Sequence, residues 1–148
     1  MKVKEIKADR WVTRWPHVRI DLFRNIEEMD TLVMAALNEL AFEAVRRYGW
    51  GHIINSDFRP GDTGQHGSGM AVDFVFFEKN IGDVPVIDQF VFTVGFGKFR
   101  RVGFYPHWIA QGLHGDMKDE TLYWWRGKTG NYEYGRSPAE ILTWKIPV

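Results

Sequence analysis

In the stretch QHGSGMAVDF, residues 65–74, a histidine stands beside two glycines and an aspartate follows seven residues later inside an apolar run. A carboxylate in a buried strand is costly unless it is paired, hydrogen-bonded or bound to a metal. Gly67 and Gly69 disfavour a continuous helix, so the spacing reads as a turn that folds His66 back over the start of a strand. Along that strand Ala71, Asp73, Val75 and Phe77 share one face, and Met70, Val72, Phe74 and Phe76 the other. The small Ala71 leaves room beside Asp73 for a divalent ion, and imidazole with carboxylate suits zinc. The plain alternative pairs Asp73 with an arginine or with backbone N–H groups and leaves His66 as an exposed loop residue. His114 bears on the choice. In GLHGDMK it stands two residues before Asp116, so on a strand both side chains share a face, placing a third metal ligand beside a carboxylate base. His17, His52 and His107 read as structural or solvated. The chain has no cysteine, so any metal must be held by histidine and carboxylate.

These residues need elements to hold them. Ile26, Met29, Leu32, Val33, Ala36, Leu37, Leu40, Ala44, Val45 and Tyr48 recur at three- and four-residue spacing. That predicts a helix from Asn25 to Tyr48, with Asn25 and Glu28 as a capping box and Gly49 and Gly51 as its stop. HIINSDF has the composition of a strand, RPGDTGQHGSG is a loop of turn formers, and MAVDFVFF reads as an interior strand. A short helix is expected from about Val86 to Val94, closed by Gly95. RRVGFY and GLHGDMK read as strands and LYWWRG as an edge strand. SPAEILTW carries a serine cap and a proline at the first helical position. Residues 1–24 mix charge with Trp11, Trp15 and Phe23, and Pro16 breaks any long helix, which predicts an irregular arm packed over the core by its aromatics. The order of elements predicts an α+β fold with a mostly antiparallel sheet and flanking helices.

The 148 residues include 45% hydrophobic and 16% aromatic side chains, enough to offset chain entropy in one domain, and no stretch has the composition of a linker. The 19 basic and 19 acidic residues balance and are scattered, which argues against a nucleic-acid partner. No segment approaches the roughly 18 apolar residues that span a bilayer, and MKVKEIKADRW lacks the apolar stretch of a signal peptide. The expectation is a monomer with no membrane partner and no export signal of its own. Trp108, Tyr123, Trp124 and Trp125 are candidates to line a groove for a peptide or glycan, although core and edge-strand packing is the commoner use of such residues.

HGSGMAVD fits the pattern His-x-x-Gly-x-Ala-x-Asp and resembles the first signature of the zinc D-alanyl-D-alanine carboxypeptidase family, peptidoglycan peptidases of the Hedgehog/DD-peptidase fold. RVGFYPHWIAQGLHGDMK resembles the second signature of one branch, a Gly-x-Tyr-Pro turn leading to a strand with His-x-Asp, followed by a tryptophan-containing segment, here YWW. SDFRPGD resembles that branch's Ser-x-x-Arg element. Together these cover about residues 55 to 125. The resemblance implies that His66, Asp73 and His114 hold zinc with a position open for water and that Arg59 binds a substrate carboxylate. It further implies hydrolysis of a peptide bond in the peptidoglycan stem or cross-bridge, as a carboxypeptidase or an endolysin-type endopeptidase. Several branches place an acid three residues before the last zinc histidine. Gln111 stands there, which leaves Asp116 as the expected base. Gly64 and Met70 also depart from the family, which usually has serine and often a basic residue at those positions. The same fold could serve as a non-catalytic cell-wall-binding or phage structural module; Gln111 favours that alternative and the retained ligand trio opposes it. A lone domain without a signal fits an enzyme that stays in the cytoplasm until released to the wall, as in phage or prophage lysis.

Overall fold

The computed structural model describes residues 1–108 and 112–142. The chain is α+β: a mixed six-stranded sheet with four helices among the described residues. The strands are β1 (Gly51–Ser56), β2 (Ala71–Phe77), β3 (Arg101–Phe104), β4 (Leu113–Asp116), β5 (Leu122–Arg126) and β6 (Tyr132–Gly135), in the spatial order β1-β2-β4-β3-β5-β6. Four neighbouring pairs run antiparallel and β3–β5 runs parallel. The segment LYWWRG is therefore an interior strand and not an edge. β6 covers it after a tight turn in which Gly130 takes φ +94° and Gly127 N donates to Asn131 O at 2.6 Å. Tyr132, Glu133 and Tyr134 are all exposed, so β6 has no apolar alternation to announce it.

The helices are α1 (Trp11–Arg14), α2 (Thr31–Tyr48), α3 (Val86–Phe96) and α4 (Pro138–Leu142). α2 buries Val33, Met34, Leu37, Leu40 and Ala44 at the expected spacing. It starts later than expected, because Asp30 is its cap, accepting from Leu32 N at 2.9 Å, while Ile26–Glu28 is a separate 3-10 turn. Asn25 is drawn elsewhere. Its N–H donates to the Asp57 carboxylate at 2.6 Å and its side chain to Phe58 O at 3.1 Å. α3 runs through Gly95 to Gly97. Its buried Gln89 accepts from Phe76 N at 2.7 Å and donates to Val84 O at 2.9 Å, which fixes the helix to β2. The start of α4 is as expected, and residues 143–144 of that segment lie outside the described residues, as does Gln111. Residues 1–24 form short turns around a buried Trp15. Among the described residues no helix is long and apolar enough to cross a membrane.

Val72, Phe74 and Phe76 of β2 join Val102, Phe104, Leu113 and Trp125 in a core with α2 and α3. The opposite face of the sheet carries two side-chain rows set by strand register. One is Asp73, His114, Gly103 and Trp124; the next is Ala71, Asp116, Arg101 and Leu122. A one-residue slip in any strand would remove its member from that face.

Candidate metal centre

His66 lies on a single 3-10 turn, Gln65–Ser68, ended by Gly69 at φ +73°. Both glycines of the motif permit close backbone approach. A Cβ on Gly67 would lie 1.7 Å from Asp62 O, and one on Gly69 2.0 Å from Glu28 O. The turn is tied down from outside by Asp30 N to Gly69 O at 2.9 Å and by Lys2, whose ammonium donates to Ser68 O and Glu28 O. His66 Nδ1–H donates to the Asp57 carbonyl at 2.8 Å, so Nε2 is the free nitrogen and faces Asp73 Oδ1 at 3.2 Å. The same Asp57 receives Asn25 through its carboxylate, so the segment that fails to extend α2 instead steadies the histidine loop.

His114 meets Asp73 from the neighbouring strand. Its Nδ1 is 2.8 Å from Asp73 Oδ1, and its Nε2–H donates to Asp116 Oδ2 at 2.7 Å. Asp116 is fully buried and takes Nε and Nη2 of Arg101 at 2.7–3.0 Å as well as Lys118 N at 3.1 Å. Arg101 in turn reaches Glu120 at 3.0 Å. Gly103 makes room for the wall of the site. A Cβ there would lie 2.1 Å from the Trp124 indole, whose ring centroid stands 5.1 Å from that of His114.

One ligand atom from each of His66, Asp73 and His114 lies within 4.8 Å of the others, so this buried trio could hold a metal ion. The donor chemistry fits. Bonds of about 2.0–2.1 Å in a tetrahedron put ligand atoms roughly 3.3 Å apart; His66 Nε2 stands 3.2 Å from Asp73 Oδ1, and His114 Nδ1, at 2.8 Å, would move slightly outward on binding. Each imidazole has its second nitrogen engaged, which points the other inward. Burial opposes the charge on Asp73, but the bonds from His114 and His66 outweigh it and bring its pKa down to about 2. Burial likewise opposes an imidazolium at His114, yet Asp116 and Asp73 raise it to about 9. Asp116 is lowered despite burial, through His114 and Arg101.

Asp116, expected as the base, therefore sits behind His114 with its oxygens engaged. That place suits a group that orients the ring and not one that takes a proton from a water inside the trio. Ala71 pairs opposite Asp116, so the space it leaves lies beside that carboxylate. Arg59 does reach the site: its Nη2 is 4.0 Å from Asp73 Oδ2 and its Nε 3.7 Å from Asp62. Of the aromatics, Trp124 walls the cavity that His66 and His114 line, together with Arg59, Tyr105, Tyr132 and Tyr134. Tyr123 is on the opposite face, packed against the core with its ring 6.3 Å from Phe90, and Trp125 is in the core. Trp108 stacks beneath Arg126. Sequence reasoning missed Arg101, Tyr105, Arg126, Tyr132 and Tyr134. Arg101 is the first residue of β3 and Tyr105 directly follows it, both within the segment RRVGFY that reads as a strand, but their partners depend on strand order. Burial, with the Asp73 charge adding, pushes the Tyr105 hydroxyl well up, so it stays protonated and can donate. Comparison of the chain with protein-family models, curated proteins and solved structures returns no match.

Proposed function

We propose that the protein is a zinc-dependent peptidase that hydrolyses a peptide bond in the peptidoglycan stem or cross-bridge, on a Hedgehog/DD-peptidase-like fold. The observation that carries this reading is the convergence of His66 Nε2, Asp73 and His114 Nδ1 in a cavity wall that also presents Arg59. A zinc ion held by that trio supplies a Lewis acid for a scissile carbonyl and lowers the pKa of water. The chain's own residues do the rest. Arg59 anchors a substrate carboxylate, Tyr105 offers a neutral hydroxyl donor, and Trp124 holds His114 in place while excluding water from one side. Among the described residues Asp62 is the carboxylate besides Asp73 on the two cavities that Arg59 lines; its Oδ1 accepts from Gly64 N at 2.6 Å, which leaves Oδ2, 3.7 Å from Arg59 Nε, as the oxygen that accepts a proton in this reading.

A second reading, a metal-bearing cell-wall-binding module without catalysis, draws on Asp116 being taken up by Arg101 and His114. One experiment separates the two. Purified protein is incubated with peptidoglycan, with and without chelator, and the fragments are identified by mass spectrometry. The peptidase reading expects peptide fragments that disappear with chelator and in His66→Ala. Wall binding without fragments supports the module, and digestion unaffected by chelator or by His66→Ala overturns the zinc chemistry.

A further inference from the structure

Arg126, the last residue of β5, has no acidic partner among the described residues. Its guanidinium carbon lies 4.5 Å from the Trp108 ring centroid and 5.7 Å from that of Tyr132, so two aromatic rings hold it in place. Its Nε is buried without a hydrogen-bond partner. It lines a cavity of about 550 Å³ with Arg59, Asp73, Ser56, Tyr105 and Tyr132. Two guanidinium groups thus border a space whose one carboxylate among the described residues, Asp73, belongs to the metal trio. Arg101, by contrast, has both Asp116 and Glu120. A rigidly stacked arginine that lacks a counter-ion beside a cavity is arranged to receive an anion, and a guanidinium fork matches a carboxylate.

We propose that Arg126 is a second carboxylate-binding group, so that the ligand of this cavity is an acidic peptide with one carboxylate on Arg59 and another on Arg126. The inference rests on the peptidase reading for the ligand being a peptide. It assigns a residue outside the signature motifs to substrate choice: a peptide with a free acidic side chain is preferred over its amidated form.

The test is a calorimetric titration, with and without zinc, using N-acetyl-alanyl-D-glutamate and N-acetyl-alanyl-D-glutamine, which differ by one carboxylate. The parent protein binds the glutamate peptide about tenfold more tightly, the scale of one charge-assisted hydrogen bond. Arg126→Gln brings that ratio close to one, and Arg126→Lys, which keeps the charge and loses the fork, gives an intermediate ratio. Arg59→Gln weakens both peptides and retains the ratio. Near-ultraviolet circular dichroism, reporting on Trp108 and Trp124, checks that each variant is folded. Equal affinities in the parent, no binding of either peptide at millimolar concentration, or an unchanged ratio in the folded Arg126 variants overturns the proposal. Peptidoglycan left uncut while the ratio behaves as stated overturns only the peptidase reading.

Discussion

Replacing Asp116 with asparagine separates the two roles open to a carboxylate beside His114. Asp116, itself out of contact with solvent, receives the His114 Nε2–H at 2.7 Å and a forked, partly exposed Arg101 at 2.7–3.0 Å. Asparagine keeps the shape, but its amide group must face donors on both sides with only one accepting oxygen. A hydrogen bond to a charged group is worth about 1.5–3 kcal/mol, and lost through the ring that presents Nδ1 this corresponds to about 10–100-fold in metal affinity. A proton competes for the same ring. With His114 raised to about 9, the ion must displace that proton at neutral pH, and removing Asp116 eases the displacement and masks part of the loss. The assay is therefore a competition with a chromogenic chelator at pH 9 and above, where the masking fades. Asp116→Asn is expected there to weaken zinc binding by about 10–100-fold. Lost support for Arg101 costs the fold about 2 kcal/mol, or about 4–8 °C in the thermal midpoint. Zinc affinity within about twofold of the parent, with the loss confined to turnover, would refute the orienting role and restore Asp116 as the base.

Zinc at about a thousandfold over its dissociation constant should stabilise the protein by about 4 kcal/mol, raising the thermal midpoint by about 8–16 °C, with the rise abolished in His66→Ala and Asp73→Ala. Because zinc displaces the His114 proton, its affinity should climb between pH 6.5 and about 9, and a flat profile would contradict the buried imidazolium. His52 accepts from Arg19 N at 3.1 Å, and burial, with Arg19 adding, lowers its pKa from 6.5 to about 4. A depressed histidine contributes stability that is complete above 6.5 and lost as pH falls toward 4, at most about 3 kcal/mol at about 1.4 kcal/mol per pH unit. Denaturant titrations at the two ends of that window should show the parent losing this increment and His52→Gln, which keeps an acceptor, losing much less. Gly103→Ala places a methyl group 2.1 Å from the Trp124 indole, so the ring must move. We expect a cost of about 1–3 kcal/mol, a shifted tryptophan emission and weaker zinc binding, and unchanged emission would show that the indole does not depend on Gly103.

Much of the scaffold was legible along the chain. The apolar spacing of α2, the alternation of β2 and the glycines around His66 are relations between residues a few positions apart, and they placed Asp73 and His114 on strands with their polar sides named. The start of α2 was misread because Asn25 and Glu28 have capping chemistry, while the Asn25 N–H is taken by Asp57, which is distant in sequence. β6 left no trace because an exposed edge strand buries no alternating face.

The sequence by itself determined which residue types are present and which local elements form: a histidine on a glycine-bounded turn, a carboxylate in an apolar strand, and a histidine two residues from an aspartate. Only the tertiary structure decided what each group touches. It set Asp116 against Arg101 and behind His114, turned Trp124 toward the site and Tyr123 away from it, and brought Arg126 to the cavity that Arg59 lines. The reason is that strand order and register are set by hydrogen bonds between distant segments. With side chains alternating at period two, those bonds decide which face every residue occupies.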